Sequence, residues 1–144
     1  MMLFTAISAA IMLVISAISE AIIDIISHNY YKSVFKYLKR PGYWNPDWSW
    51  RNKYKFGDKT FGEKFKYSTT ILVSFTDAWH LFKMISKITL MASLLLIGAQ
   101  FGLSVYLLPM FIISKIIHQS VFHVFYTYIS VSYTHLTLPT KRIV

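Results

Sequence analysis

The sequence predicts an all-α membrane protein with two or three transmembrane helices and one amphipathic helix at the membrane interface. Ile88–Leu108 contains twenty-one residues without a charge, which as a helix is long enough to cross a hydrocarbon core of roughly 30 Å. The chain is 55% hydrophobic and only 15% charged, whereas soluble domains are about one quarter charged. Most of its basic residues lie in one polar segment between the apolar ones.

The composition limits the classes of function. A formal net charge of +9 together with a high apolar content is typical of a membrane protein with a basic face or of a nucleic-acid-binding protein. The long uncharged runs favour the membrane protein, because binding nucleic acid does not require them. The chain has no cysteine, which excludes a disulfide framework, a thiolate nucleophile and a thiolate metal site.

The last fourteen residues, Val131–Val144, resemble the translation of a DNA adapter used in preparing sequencing libraries. Their first ten residues, VSYTHLTLPT, are the in-frame translation of GTCTCTTATACACATCTGACGCTGCCGACG. We therefore expect this tail to be non-native and the native chain to be interrupted near Ser130. Segments of this kind are excluded from functional assignments.

Residues 1–27 are predicted to form the first transmembrane helix, uncleaved, because no basic residue precedes the apolar run and the run exceeds a signal-peptide core. The end of this helix carries Glu20, Asp24 and His28 on one stripe, since residues four apart share a helix face. Such a stripe can bind a divalent cation or relay protons. It equally fits a helix that leaves the bilayer and pairs with the lysines that follow.

The segment from residue 28 to residue 87 holds twelve Lys and Arg residues and four acidic ones. By the positive-inside rule this segment is cytoplasmic and the N-terminus lies outside, which predicts a protein of the bacterial inner (cytoplasmic) membrane. We divide it into a basic aromatic loop, 28–67, and an amphipathic helix, 68–87.

The basic aromatic loop interleaves Trp, Tyr and Phe with Lys and Arg. This composition fits a single-stranded nucleic-acid surface, and it equally fits a belt at the level of lipid headgroups. The flanking apolar spans favour the belt, so we expect membrane lipids with anionic headgroups as partners rather than nucleic acid. The residues assigned to this interface are Trp44, Trp48, Trp50, Arg51, Lys53 and Lys55.

The predicted helix over 68–87 has apolar residues at helical spacing and lysines on another face, which indicates an interfacial or re-entrant segment. Ser68 or Thr69 is the expected N-terminal cap. Asp77 and His80, three residues apart, are expected to face the same way. A carboxylate that orients a histidine serves metal binding and general-base catalysis, although the pair also fits a polar surface stripe.

Two blocks of sequence in this region, NPDWSWRNKYK and STTILVSFTDAWHLFK, resemble a group of small, uncharacterised bacterial integral membrane proteins. That group shares an aromatic-basic loop and a T-D-x-W-H helix. The resemblance covers about Asn45–Lys83 and implies no known activity. It implies that the function of the group involves Trp48, Trp50, Arg51, Thr76, Asp77, Trp79 and His80.

The remaining apolar sequence predicts a second transmembrane helix over 88–108, a hairpin near Pro109 and a third transmembrane helix over 109–130. A polar stripe in a membrane helix normally faces protein or water. The stripe of this third helix consists of Lys115, Gln119, His123 and Tyr126, with His118 beside it.

The two histidines of HQSVFH have the H-x4-H spacing of the histidine boxes of membrane desaturases and hydroxylases, which this motif resembles. Together with the earlier pair they form a candidate site for a single divalent metal, such as iron, zinc or manganese. The residues of this candidate site are Asp77, His80, His118 and His123. No phosphate-binding loop, dinucleotide fingerprint or nucleophile elbow is present in the sequence.

Three functions follow from these patterns. The first is a small inner-membrane protein without enzymatic activity that acts through assembly or lipid contact at its basic aromatic face. The second is a membrane-embedded metal-dependent enzyme that uses the His and Asp site. The third is a channel or transporter subunit, in which Glu20, Asp24 and Lys115 line a polar path in a homo-oligomer.

Overall fold

Three long helices dominate the computed structural model, which describes residues 2–101 and 107–136. They are α1 (Met2–Asn29), α2 (Ala78–Phe101) and α3 (Leu107–Leu136). The described residues contain no β-strand beyond an isolated bridge, which confirms the predicted all-α class. All three helices are long and apolar enough to cross a membrane, over Leu3–Lys32, Ala78–Gln100 and Leu108–Ile129.

Helix α1 is the centre of the bundle, because α2 and α3 both pack against it and touch each other little. Its buried positions are mostly small residues, which allow helix backbones to approach closely in lipid. Ala17 and Ala21 are completely buried, as is Ser16. The sequence of α1 therefore determines how close the other two helices can come.

A cluster of apolar side chains joins the end of α1 to the start of α2. Ile25 and Ile26 of α1, fully or almost fully buried, pack there with Ala78 of α2. The ring of Phe35 joins the same cluster and stacks on Trp44 with the centroids 5.3 Å apart. This cluster attaches the polar segment to the bundle.

We call residues 30–77 the cap. They form turns and short helical segments that cover one end of the bundle. Lys53 and Lys55 hold two parts of the cap together through backbone hydrogen bonds, Lys64 N to Lys53 O at 2.9 Å and Lys55 N to Gly62 O at 3.0 Å. The segments are Tyr30–Lys32, Val34–Tyr37, Pro41–Trp44, Pro46–Ser49, Trp50–Lys53, Lys55–Gly57, Lys59–Phe61 and Ile71–Phe75.

Helix α2 begins at Ala78 and continues without a break past Lys87, which corrects the predicted boundary between 68–87 and 88–108. Residues 68–77 lie in the cap. The hydroxyl of Ser68 donates to the carbonyl of Lys53 at 2.7 Å, so it does not cap the helix. Asp77 does, since its carboxylate accepts the backbone N–H of His80 at 2.9 Å, and an aspartate in this position stabilises a helix start.

Helix α3 begins at Leu107, before the predicted boundary at Pro109. Pro109 therefore lies in the first turn, where its missing N–H breaks no helical hydrogen bond. Residues 102–106, between α2 and α3, lie outside the described residues. At the other end α3 extends to Leu136, so it includes the first six residues of the adapter-like tail, while 137–144 lie outside the described residues.

Candidate functional site

Asp77 and His80 form a tight pair at the start of α2. The Nδ1 atom of His80 lies 2.8 Å from both carboxylate oxygens of Asp77, and the Thr76 hydroxyl donates to the same carboxylate at 3.0 Å. Asp77 is 1% exposed. Because a carboxylate only accepts hydrogen bonds, Nδ1 of His80 carries the proton and donates, and Nε2 is left as the acceptor. The two residues face each other as the sequence predicted.

The second ring nitrogen of His80, Nε2, lies beside Lys53. The Nζ atom of Lys53 is 3.4 Å from Nε2 of His80. An open pocket of about 290 Å³ borders the pair and is lined also by Trp50 and Trp79. The Trp79 indole N–H donates to the hydroxyl of Ser27 at 3.1 Å, so the pocket lies where α1 ends and α2 begins. The opening is lined by one imidazole, two indoles and the carboxylate of Asp77, and the ammonium of Lys53 lies beside that imidazole.

Next to this pocket, cationic side chains lie over tryptophan rings. The guanidinium of Arg51 is 4.7 Å from the ring centroid of Trp48 and 5.4 Å from that of Trp50. The ammonium of Lys83 lies 4.2 Å from the Trp79 centroid. Trp48 is 54% exposed and Trp50 39%. Exposed indoles with cations over their faces are typical of the zone where hydrocarbon meets headgroups.

Trp44 and Lys55 occupy different environments from the other predicted interface residues. Trp44 packs against the buried cluster, on Phe35 and near Phe82. It therefore helps to attach the cap to the helix bundle. The side chain of Lys55 is exposed. Trp48, Trp50, Arg51 and Lys53 therefore make up the shared surface, which we call the basic aromatic site.

Glu63 and Tyr43 are among the titratable groups of the cap whose pKa values are shifted. The hydrogen bond from the Thr69 hydroxyl lowers the pKa of Glu63 below its ordinary value of 4.5, and backbone N–H groups add to this. Glu63 is therefore ionised at neutral pH and holds the turn that follows it. Burial raises the pKa of Tyr43 above 10.0, and the negative charge of Asp77 raises it further, so its hydroxyl stays protonated.

A second polar group lies inside the apolar part of the bundle and connects all three helices. The hydroxyl of Ser16 (α1) lies 3.0 Å from the carbonyl of Ser86 (α2) and 3.2 Å from Nε2 of His118 (α3). His118 is 1% exposed. Glu20 completes the group, with one carboxylate oxygen 3.3 Å from the Ser86 hydroxyl and the other 3.8 Å from His118. Polar residues at this depth face protein, as expected.

The predicted stripe of Glu20, Asp24 and His28 is divided between two environments. Asp24, 43% exposed, pairs with His28, 70% exposed, at 3.6 Å, whereas Glu20 is directed to His118 of α3. Among the described residues no cation site unites the three, because two of them pair with each other on α1 while Glu20 contacts the other two helices.

The predicted metal site of four residues is wrong. Asp77 and His80 are together at the start of α2, but His118 contacts Ser16 and Glu20, and His123 is exposed on α3. Among the described residues no group of three or more His, Asp or Glu side chains could hold a metal ion. Residues five apart on a helix point about 140° apart, which explains why His118 and His123 do not converge.

The predicted polar stripe of α3 is divided, because Tyr126 is partly buried and accepts a hydrogen bond from Asn29 of α1, whereas its other three residues face away from the bundle. Lys115, Gln119 and His123 are all exposed, while Ser114 and His118 are buried against the bundle. A lysine and an amide on the outer surface of a membrane-spanning helix are costly in lipid. This face therefore needs a partner or a polar environment.

The candidate functional features of the described residues are therefore the Asp77–His80 pair with its pocket, the polar group around Ser16, and the exposed polar residues of α3. No known protein family, curated protein or solved structure matches the chain. The arguments for its function come from its own side chains.

Ser16 and Ser86 were not predicted as site residues. In the sequence, Ser16 was one of several small residues in an apolar helix, and Ser86 lay in a stretch assigned to the interface. One signal was available for Ser16, because it precedes Glu20 by four residues and shares its helix face. The partner of that face on α2 and α3 could not be deduced from local spacing.

Proposed function

We propose that this chain is an integral protein of the bacterial inner membrane that binds anionic phospholipid headgroups through the basic aromatic site. The observation that carries this proposal is the arrangement of Arg51 over the exposed rings of Trp48 and Trp50. Beside it, Trp50 and His80 line an open pocket, and the Nζ atom of Lys53 lies 3.4 Å from Nε2 of His80.

The position of this site relative to the apolar spans supports the proposal. The span of α1 ends at Lys32 and that of α2 begins at Ala78, and the Trp79–Ser27 hydrogen bond joins these two ends. This position supports the proposal that the pocket lies at the level of the lipid phosphates. The excess of basic residues in the cap favours the cytoplasmic side, with the N-terminus outside, where anionic lipids attract such residues.

We expect the purified protein to bind phosphatidylglycerol more tightly than phosphatidylcholine, as measured by native mass spectrometry of lipid-bound states. Replacing Arg51 and Lys53 together by Gln should weaken phosphatidylglycerol binding by about fivefold for each charge removed. The matched control is the double replacement of Lys36 and Lys39 by Gln, which removes two cap charges outside the site. Equal binding of the two lipids by the wild-type protein, or an equal loss in both double variants, would contradict the proposal.

We also propose that two or more copies assemble through the outward faces of α1 and α3. Glu20, Asp24 and His28 on α1 repeat every four residues, as do Lys115, Gln119 and His123 on α3. The side chains of Glu20 and Asp24 are 44% and 43% exposed, so the Glu20 carboxylate that contacts Ser86 inside the bundle is also partly open to the outer surface. Acidic and basic side chains can therefore meet between copies.

The depths of these two stripes match. The Asn29 amide donates to the Tyr126 hydroxyl at 2.6 Å, which sets a common level for α1 and α3. Glu20 precedes Asn29 by nine residues and Lys115 precedes Tyr126 by eleven, or about 14 Å and 17 Å along the helices. The carboxylate of one copy thus lies at nearly the depth of the ammonium of another.

Replacing Lys115 by Leu and Gln119 by Leu together is expected to shift the protein from oligomer to monomer in detergent, because the substitutions remove the polar face that lipid cannot satisfy. Light scattering coupled to size exclusion measures the mass. Ile116→Leu, on the same exposed surface of α3, is the control and should leave the mass unchanged. A wild-type protein that is monomeric across detergents would refute assembly and leave the lipid proposal intact.

A further inference from the structure

An apolar cavity of about 310 Å³ lies between the three helices, at the end of the bundle away from the cap. Small side chains of α1 leave the space, and larger aliphatic ones of α2 and α3 border it. The residues that define it include Ala6, Ala9, Ala10, Ile97, Ile113 and Ile117. Cavities of this size hold part of a lipid-sized molecule.

One polar group in the cavity wall is unsatisfied. Ser93 lines the cavity and is 0% exposed, and within the described part of the chain its hydroxyl has no hydrogen-bond partner. Other serines of the long helices donate to the carbonyl one turn earlier, as do Ser8, Ser19, Ser27 and Ser120. A buried hydroxyl without a partner is rare and unfavourable in native proteins.

The depth of this hydroxyl determines what can satisfy it. Ser93 follows Ala78 by fifteen residues, about 22 Å along α2 from the cap, and so lies within the hydrocarbon. Water is scarce there and an apolar cavity stays dry. A hydrocarbon chain fills the volume but leaves the hydroxyl without a partner, whereas a chain with an oxygen atom does both.

We propose that this cavity binds a single-chain lipid that carries a hydroxyl, carboxyl or carbonyl oxygen, with the Ser93 hydroxyl hydrogen-bonded to that oxygen. Ala10 is exposed at the wall of the cavity and gives the chain a way in from the bilayer. The site is far from the basic aromatic site, recognises a different part of a lipid, and does not depend on headgroup binding.

The test uses the full chain in phosphatidylcholine nanodiscs and a diazirine-bearing fatty alcohol, with the matching diazirine-bearing alkane as its partner probe. After irradiation, mass spectrometry locates the labelled residues. The alcohol is expected to label the segments around Ala10 and Ile113 about 3–10 times more than the alkane does, which is the effect of one net hydrogen bond. Excess unlabelled 1-dodecanol should suppress this labelling.

Two variants and one control separate the parts of the proposal. Ser93→Ala should bring the alcohol down to the level of the alkane while leaving the melting temperature equal or higher, because an unsatisfied hydroxyl is removed. Ala10→Phe should reduce labelling by both probes by filling the cavity, while Ile11→Phe, on the neighbouring lipid-exposed position, should not. Labelling spread evenly over the exposed helix faces would refute the site, and a Ser93→Ala variant that still prefers the alcohol would refute the hydrogen bond.

Discussion

Replacing Asp77 by Ala is expected to lower the free energy of unfolding by about 2–4 kcal/mol, through the loss of a helix cap and the unsatisfied partners left behind. Asp77 is buried and accepts hydrogen bonds from the backbone of His80, the ring of His80 and the hydroxyl of Thr76. For a chain of this size the change corresponds to a melting temperature lower by roughly 6–12 °C. Thermal unfolding in detergent, followed by tryptophan fluorescence, measures it.

Two further variants separate the role of shape from that of charge. Asp77→Asn keeps an oxygen for the backbone N–H of His80 and should retain most of the stability. The control is Asp58→Ala, because Asp58 also accepts a backbone N–H, from Thr60 at 2.8 Å, but is exposed. Its loss should leave the melting temperature nearly unchanged. If Asp77→Ala changed the melting temperature as little as Asp58→Ala, the Asp77–His80 pair would not contribute to the stability of the fold.

The Asp77–His80 pair also shows how much of this site could be predicted from the sequence. The three-residue spacing of Asp77 and His80 predicted that their side chains point the same way. The two are in contact because Asp77 caps the first turn of α2, which contains His80. Trp50 lines the pocket beside them and Lys53 contacts His80. The sequence placed both residues at the interface without indicating either contact. Contacts within a turn follow from helix geometry, whereas contacts between segments depend on how the whole cap folds.

The helix boundaries show the same limit. Apolar runs predicted three spans, and three helices of suitable length are present, but the boundary at residue 88 was misplaced. The charge of Lys83 and Lys87 suggested a surface helix, yet a helix can continue through them when its other face packs against α1. By residue type, Asp77 is as good a helix N-cap as the Ser68 chosen from the sequence, and it is the carboxylate of Asp77 that accepts the backbone N–H three residues later.

The hypothesis of a metal site formed by three histidines and one aspartate was wrong because His118 has other partners in the folded chain. His118 had the right residue type for a metal ligand, but in the folded chain it contacts Ser16 and Glu20 of α1. A buried polar side chain takes whichever partner the packing provides. Nothing in the local sequence around His118 identifies α1 as that partner.

Replacing Ser16 by Leu is expected to separate the three helices and to cost about 1–3 kcal/mol or more, the effect of forcing extra volume into a packed core. Ser16 is 0% exposed and lies against Ser86 and His118 at once. The measurement is the melting temperature in detergent, together with the yield of cysteine cross-links introduced between α1 and α3 at Asn29 and Tyr126, which should fall.

Ser16→Ala distinguishes space from hydrogen bonding, because it removes the hydroxyl and adds no volume. Interhelical hydrogen bonds in membrane proteins contribute only about 0.6 kcal/mol on average, so this variant should be much milder than Ser16→Leu. Ser8→Leu is the control for the leucine itself, since the hydroxyl of Ser8 bonds within its own helix. A Ser16→Ala variant as unstable as Ser16→Leu would mean that the polar group, rather than the close approach of small residues on α1, holds the bundle together.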